Sequence, residues 1–217
     1  MKIDFVSDIA CPWCAIGLHA LEQALARLDG VVEADLRFQP FELNPQMPPE
    51  GEDIVEHLSR KYGLAPADIA RNAEAIRERG ASVGFVFGQG KRRRTYNTFD
   101  AHRLLHWSGP EGRQLALKHA LLRAYFTDGE DPSDHDVLVR VAESVGLDAA
   151  TAREILACDR YAAETRERER FYQAQGIQAV PSVIIDDRHL IQGGQPVEEF
   201  ERVLRHLAAV EQQAKTA

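Results

Sequence analysis

Two cysteines separated by two residues, Cys11 and Cys14, carry the most explicit chemistry in this chain. They lie in Ser7-Asp8-Ile9-Ala10-Cys11-Pro12-Trp13-Cys14, after the alternating run Ile3-Asp4-Phe5-Val6 and before a helical pattern of Leu18, Leu21, Leu25 and Leu28. A Cys-X-X-Cys pair between a strand and a helix puts the first sulfur at the helix's positive end. The unpaired N–H groups there favour an anion, so Cys11 is expected to be stabilised as a thiolate, the nucleophile of thiol–disulfide exchange. Cys14, one turn further on, is placed to resolve the mixed disulfide from inside. Pro12 suits the first turn of a helix, where its missing N–H costs nothing. Trp13, an apolar body with one donor, is expected on the rim around Cys11. Half of a zinc site and a purely structural pair are the competing readings. Structural zinc takes four ligands, yet there is no second cysteine pair, Cys158 is isolated and none of the eight histidines has finger spacing. No metal is expected.

The elements that must hold this pair follow from periodicity. Val31 to Leu43 reads as a second strand, with Leu36, Phe38 and Phe41 apolar, and the prolines Pro45, Pro48 and Pro49 end it in a loop. From about Asp53 to Gly176 no strand signal appears, and helical patterns follow one another. Ser133 with Asp136, and Asn97 with Asp100, resemble helix-capping arrangements. Val180 to Ile185 and Leu190 to Gln192 read as a hairpin. A last amphipathic helix carries Phe200, Val203, Leu204, Leu207 and Val210, and the polar tail from Glu211 to Ala217 is expected to fray. The order is βαβ, a helical block, then ββα. Residues 1–52 and 177–217 are expected to form one domain, with 53–176 inserted as a helical subdomain.

The chain has 217 residues, 44% hydrophobic and 28% charged, with a formal charge of −8. That balance supports one substantial core and argues against nucleic acid or an anionic membrane as partner. No run approaches the length of a membrane span, and Met1-Lys2-Ile3-Asp4 enters a strand without an apolar leader, so a cytoplasmic protein is expected. Three cysteines in that setting point to catalysis or redox sensing.

Cys11-Pro12-Trp13-Cys14 after a short strand, the helical insertion, and Val180-Pro181-Ser182 before a late strand resemble the DsbA-type branch of the thioredoxin superfamily. Phe41-Glu42-Leu43-Asn44-Pro45, Asn97 to Leu104, Ala124-Tyr125-Phe126 and Gly194-Gln195-Pro196 resemble the FrnE-like group within it. The resemblance implies an α/β thioredoxin-like fold with a large helical insertion, and a dithiol–disulfide oxidoreductase or isomerase acting on protein or small-molecule disulfides. It also implies a cis peptide at Val180–Pro181 beside the sulfurs, leaving the Val180 backbone to pair with an extended substrate. Ala179 departs from the pattern, since relatives often carry glycine there. Glutathione transferases of the kappa type and hydroxychromene-carboxylate isomerases, in the wider branch, carry serine in place of Cys11. They give the alternative reading of a glutathione-dependent isomerase. Two thiols favour exchange over that alternative and leave glutathione open as reductant or co-substrate; no other cofactor is expected.

Within the resembling segment, Asn97 and His102 are candidates to face Cys11 across a cleft and bind substrate. Asn97 also serves as a helix cap, and His102 with His106 fits a partly exposed helix face. Lys91-Arg92-Arg93-Arg94 reads as a solvated loop, Cys158 as a small hydrophobe within a helix, and Glu164 to Arg170 as an exposed face. Homodimerisation is left open, with no exposed seam to mark it.

Overall fold

The structure, a computed structural model, describes residues 1–216. Strands β1 (Lys2–Ser7), β2 (Asp35–Pro40), β5 (Ser182–Ile185) and β6 (His189–Gln192) form a mixed sheet in the order β2-β1-β5-β6. β1 pairs in parallel with β2 and antiparallel with β5. Such a parallel pair needs a crossover, which is helix α1 (Pro12–Arg27). Helix α9 (Val197–Thr216) packs beside α1 on the sheet. It continues through most of the expected fraying tail, and Ala217 lies outside the described residues. The α/β architecture is the one expected.

Between β2 and β5 lie a two-residue ladder, β3 (Glu52–Asp53) with β4 (Arg94–Thr95), and seven helices among the described residues. These are α2 (Ile54–Tyr62), α3 (Pro66–Ser82), α4 (Phe99–Ser108), α5 (Gln114–Arg123), α6 (His135–Ser144), α7 (Ala149–Leu156) and α8 (Ala162–Ala174), with a π turn over Ala124–Asp128. The β3–β4 ladder corrects the strand-free reading of this stretch. β2 is also shorter than expected. The chain leaves the ladder at Pro40 because the Leu43 N–H donates to Asp8 Oδ2 (2.7 Å) instead of pairing with a strand.

The helices do not bury their apolar faces only against one another. Val83, Phe85, Leu122, Tyr125 and Phe126 join Ile3, Phe5, Ile16, Val183 and Phe200 in the core of the sheet. In the other direction, Ile9, from the loop between β1 and α1, sits in the helical core with Leu104, Leu117, Leu121, Leu138 and Ile155. The loop that presents Cys11 is therefore anchored inside the helical block.

Two capping expectations are corrected. Asp134, not Ser133, caps α6, accepting from the N–H groups of Asp136 and Val137, while Ser133 bonds to Asp131. Asn97 Oδ1 accepts from the Phe99 N–H (2.8 Å) at the start of α4, but Asp100 turns to Arg103 and His135.

Because Ile9 is fully buried in that helical core, Ile9→Ala is expected to cost about 2–5 kcal/mol. Urea unfolding with unchanged m-value measures it; a cost below about 0.5 kcal/mol, the range of ordinary surface substitutions, would remove Ile9 as the anchor.

Candidate active site

Cys11 is the N-cap of α1 and Pro12 its first residue, with no acidic side chain in the first turn to compete for the helix's positive end. Both sulfurs are buried. The Cys11 thiol is nonetheless pushed down from its ordinary value. The hydrogen bond with Cys14 does most of this, outweighing burial, and the N–H groups of Cys14 and Trp13 assist. Cys14 is pushed well up, first by burial and then by the hydrogen bond and charge of Cys11. The pair is thus split into a ready nucleophile and a held proton. Opposite them the Val180–Pro181 peptide is cis, and the Cys11 thiol points at the Val180 carbonyl (3.6 Å). α1 approaches this loop closely at Gly17, where a Cβ would lie 3.1 Å from Pro181 Cγ and 3.3 Å from Gly194 Cα. Trp13 stands on the rim, 42% exposed.

Behind Cys11 lies a carboxylate. Asp8 is 1% exposed and accepts from the Ala10 N–H (3.2 Å), the Leu43 N–H (2.7 Å) and the Thr98 hydroxyl (2.7 Å). His102 Nε2 is 3.5 Å from it. Burial would raise Asp8, but His102, with the Leu43 and Thr98 donors, holds it below its ordinary value. As an anion, Asp8 opposes a second anion at Cys11. His102 is itself 3% exposed, so the expected half-exposed helix face is corrected: this side of α4 turns inward because a buried carboxylate needs partners. Neither His102 nor Asn97 lines the cavity that contains Cys11. Asn97 donates to Glu42 (3.3 Å), which shares Arg166 with Glu169. That network corrects the exposed-face reading of residues 164–170 in part: Glu164, Glu167, Arg168 and Arg170 are exposed as expected, but Glu169 is 5% exposed.

Lys118, on α5, is fully buried and its Nζ has no hydrogen-bond partner; it lies over the Phe38 ring, 5.8 Å to the centroid. Burial pulls its ammonium down to about 8, against the attraction of Cys14, Asp8 and Cys11. Sequence reading missed this residue. Its signal was a lysine four residues before Leu122, on the stripe that also carries Leu121 and Leu117.

The family description "DSBA-like thioredoxin domain" matches residues 2–205. The chain belongs to that family. A probable DsbA oxidoreductase of Streptomyces coelicolor is 33% identical, with a TM-score of 0.89 over 97% of this chain and 91% of that one. The uncharacterized protein YwbO of Bacillus subtilis is 29% identical over 94% of this chain and 96% of its own. The cytosolic disulfide reductase DsbM of Pseudomonas aeruginosa, solved with GSH, shares the fold at 17% identity and a TM-score of 0.63, covering 98% of this chain and 100% of that one.

Around the DSBA-like centre, Lys91, Arg93 and Arg94 of the basic run are exposed as expected, but Arg92 is taken up by the fold. Arg92 Nε donates to the Tyr125 hydroxyl (2.8 Å), its Nη2 donates to the Ala10 carbonyl (3.2 Å), and its guanidinium lies over the rings of Tyr125 and Phe126. The π turn at Ala124–Asp128 brings those two rings under it. Cys158 is corrected as well: it is exposed, in the turn after α7, with its thiol donating to the Glu154 carbonyl (3.0 Å).

A depression of Lys118 from 10.5 to about 8 amounts to ~3 kcal/mol against folding while the group is charged. Between those values the unfolded chain holds more protons on this lysine, so its contribution to stability should rise with pH from about 8 to 10.5, opposite in sign to that of the raised Cys14. Lys118→Met is expected to be the more stable protein at pH 7 and to lose that rise; urea melts at pH 7, 8, 9 and 10 test both. Asp8→Asn removes a charge that opposes the thiolate, so the apparent pKa of Cys11 alkylation should move further down. An upward move would contradict the assignment.

Proposed function

We propose that this chain is a cytoplasmic thiol–disulfide oxidoreductase or isomerase working through Cys11 and Cys14. The observation that carries the reading is the opposite displacement of two buried thiols at one helix N-terminus, beside the Val180 carbonyl.

The Cys11 thiolate attacks one sulfur of a disulfide, forming a mixed disulfide and expelling the other sulfur as a thiolate. Neutralising Cys11 in this way removes the charge that kept the Cys14 proton in place. Cys14 then gives up its proton, its thiolate attracted by the buried ammonium of Lys118, and attacks Cys11 Sγ. The second substrate thiolate leaves, and the protein holds a Cys11–Cys14 disulfide carrying the two electrons' worth of oxidation. A dithiol, or two molecules of glutathione, returns it by the reverse steps. Trp13 and the Val180–Pro181 loop flank the attacked sulfur, and the Val180 backbone pairs with an extended substrate.

A lowered Cys11 pKa stabilises the dithiol form and makes the disulfide the stronger oxidant. In a reducing cytoplasm the protein therefore stands reduced, ready for reductase or isomerase work. The DsbM likeness shows the fold alone, and the paired thiols support glutathione here as an electron donor rather than as a bound cofactor.

Cys14→Ser should trap the mixed disulfide with a dithiol-free disulfide substrate, seen as one substrate half added at Cys11 by intact mass. Cys11→Ser should trap nothing and lose turnover. Catalysis surviving intact in Cys14→Ser, with glutathione bound and no covalent adduct, would overturn the reading in favour of a glutathione-dependent isomerase.

A further inference from the structure

A cavity of 690 Å³ opens in front of Cys11, between Trp13 and Val180 on one side and α2 and α3 on the other. An apolar recess of 170 Å³ continues from it behind Pro12, walled by Leu58, Leu64, Ile69, Ile76, Phe87 and Phe126. Helix α2 is amphipathic, yet its only buried residue is His57; Ile54 and Leu58 face these spaces and belong to none of the packed cores. An apolar helix face left over a reactive sulfur is a surface waiting for an apolar group. Size bounds that group, since an apolar engineered cavity of about 150 Å³ stays dry and holds benzene.

Charge bounds it further. The chain carries −8, but no Asp or Glu lines either space. The ionisable groups there, besides the cysteine, are His57, Lys61, Tyr62, Arg77 and Arg92. His57 is paired with Glu52 and Arg77 with Glu74. Among the described residues, Lys61 and Arg92 have no carboxylate partner. Lys61, at the mouth, donates to the Leu43 carbonyl and Asn44 Oδ1; Arg92, half-buried where the two spaces meet, donates to Tyr125 and Ala10. A positive cleft in a negative protein concentrates anions.

We propose that this site selects disulfides that carry a negative charge beside an apolar, ring-sized group. This names the substrate class of the thiol–disulfide reading above and rests on it. The apolar group enters the recess behind Pro12, the anion meets Arg92 and Lys61, and the sulfur is presented to Cys11.

The test uses the reduced full chain and four disulfides: 5,5′-dithiobis(2-nitrobenzoate), neutral 4,4′-dithiodipyridine, glutathione disulfide and cystamine. Each rate is divided by the rate of free dithiothreitol with the same compound, which removes intrinsic reactivity. The normalised rate for the aromatic dicarboxylate should exceed those of the neutral ring compound and of glutathione disulfide by about tenfold, with cystamine slowest. Lys61→Met and, separately, 1 M salt should shrink the advantage of the dicarboxylate over the neutral ring compound. Ile76→Trp, which fills the recess, should slow both ring compounds more than glutathione disulfide. Equal normalised rates, or an advantage insensitive to salt and to Lys61→Met, would overturn this proposal while leaving thiol–disulfide exchange intact. No reaction with any of the four would overturn both.

Discussion

Holding negative charge on a sulfur that is cut off from water is the constraint around which this protein is arranged. An anion at a buried site is costly unless donors and dipoles replace the lost solvent. Here the replacement is local: a helix N-terminus free of acidic side chains, the Cys14 hydrogen bond, and backbone N–H groups of the first turn. Two further buried charges then set the balance. Asp8 pushes against the thiolate and Lys118 pulls toward it, and neither can be screened by solvent where it lies. Lys118 has no hydrogen-bond partner, so attraction to Cys14, Asp8 and Cys11 is what opposes the cost of burying its ammonium.

The same buried groups do structural work. Asp8 joins three parts of the chain that are far apart in sequence: its own turn through Ala10, the exit of β2 through Leu43, and the start of α4 through Thr98. Its neighbour Ile9 is fixed in the helical core. Cys11 thus stands at the end of a loop gripped from both sides, and Gly17 lets Pro181 close over the sulfurs. The helices between β2 and β5 contribute the anchor, the buried lysine and the roof of the cleft, so the reactive pair depends on them as much as on the sheet.

Much of this was legible in the sequence because it is local. The Cys-Pro-Trp-Cys spacing, the strand before it and the leucine stripe after it are short-range patterns, and they placed the cysteine pair at the first strand–helix junction and the main elements in their chain order. What escaped were features created by long-range packing. Arg92 sits in a run of four basic residues that reads as solvent-facing, and only the fold shows that Tyr125 and Ala10 take up its guanidinium. His102 looked half-exposed because its partner, Asp8, is 94 positions away. Lys118 is one charge among leucines, and periodicity treats it as a polar interruption of the stripe. Cys158 erred the other way: a cysteine within a helical pattern reads as core, but α7 stops at Leu156 and leaves it outside.

The central claim is that the two thiols are held apart in acidity by their surroundings. The direct measurement is the alkylation rate of each cysteine against pH in the reduced protein, read by peptide mass spectrometry. Cys11 is expected to titrate well below the free-thiol value of about 8.5, with Cys14 unreactive throughout the same range. Two cysteines that titrate together near the free-thiol value would contradict the account.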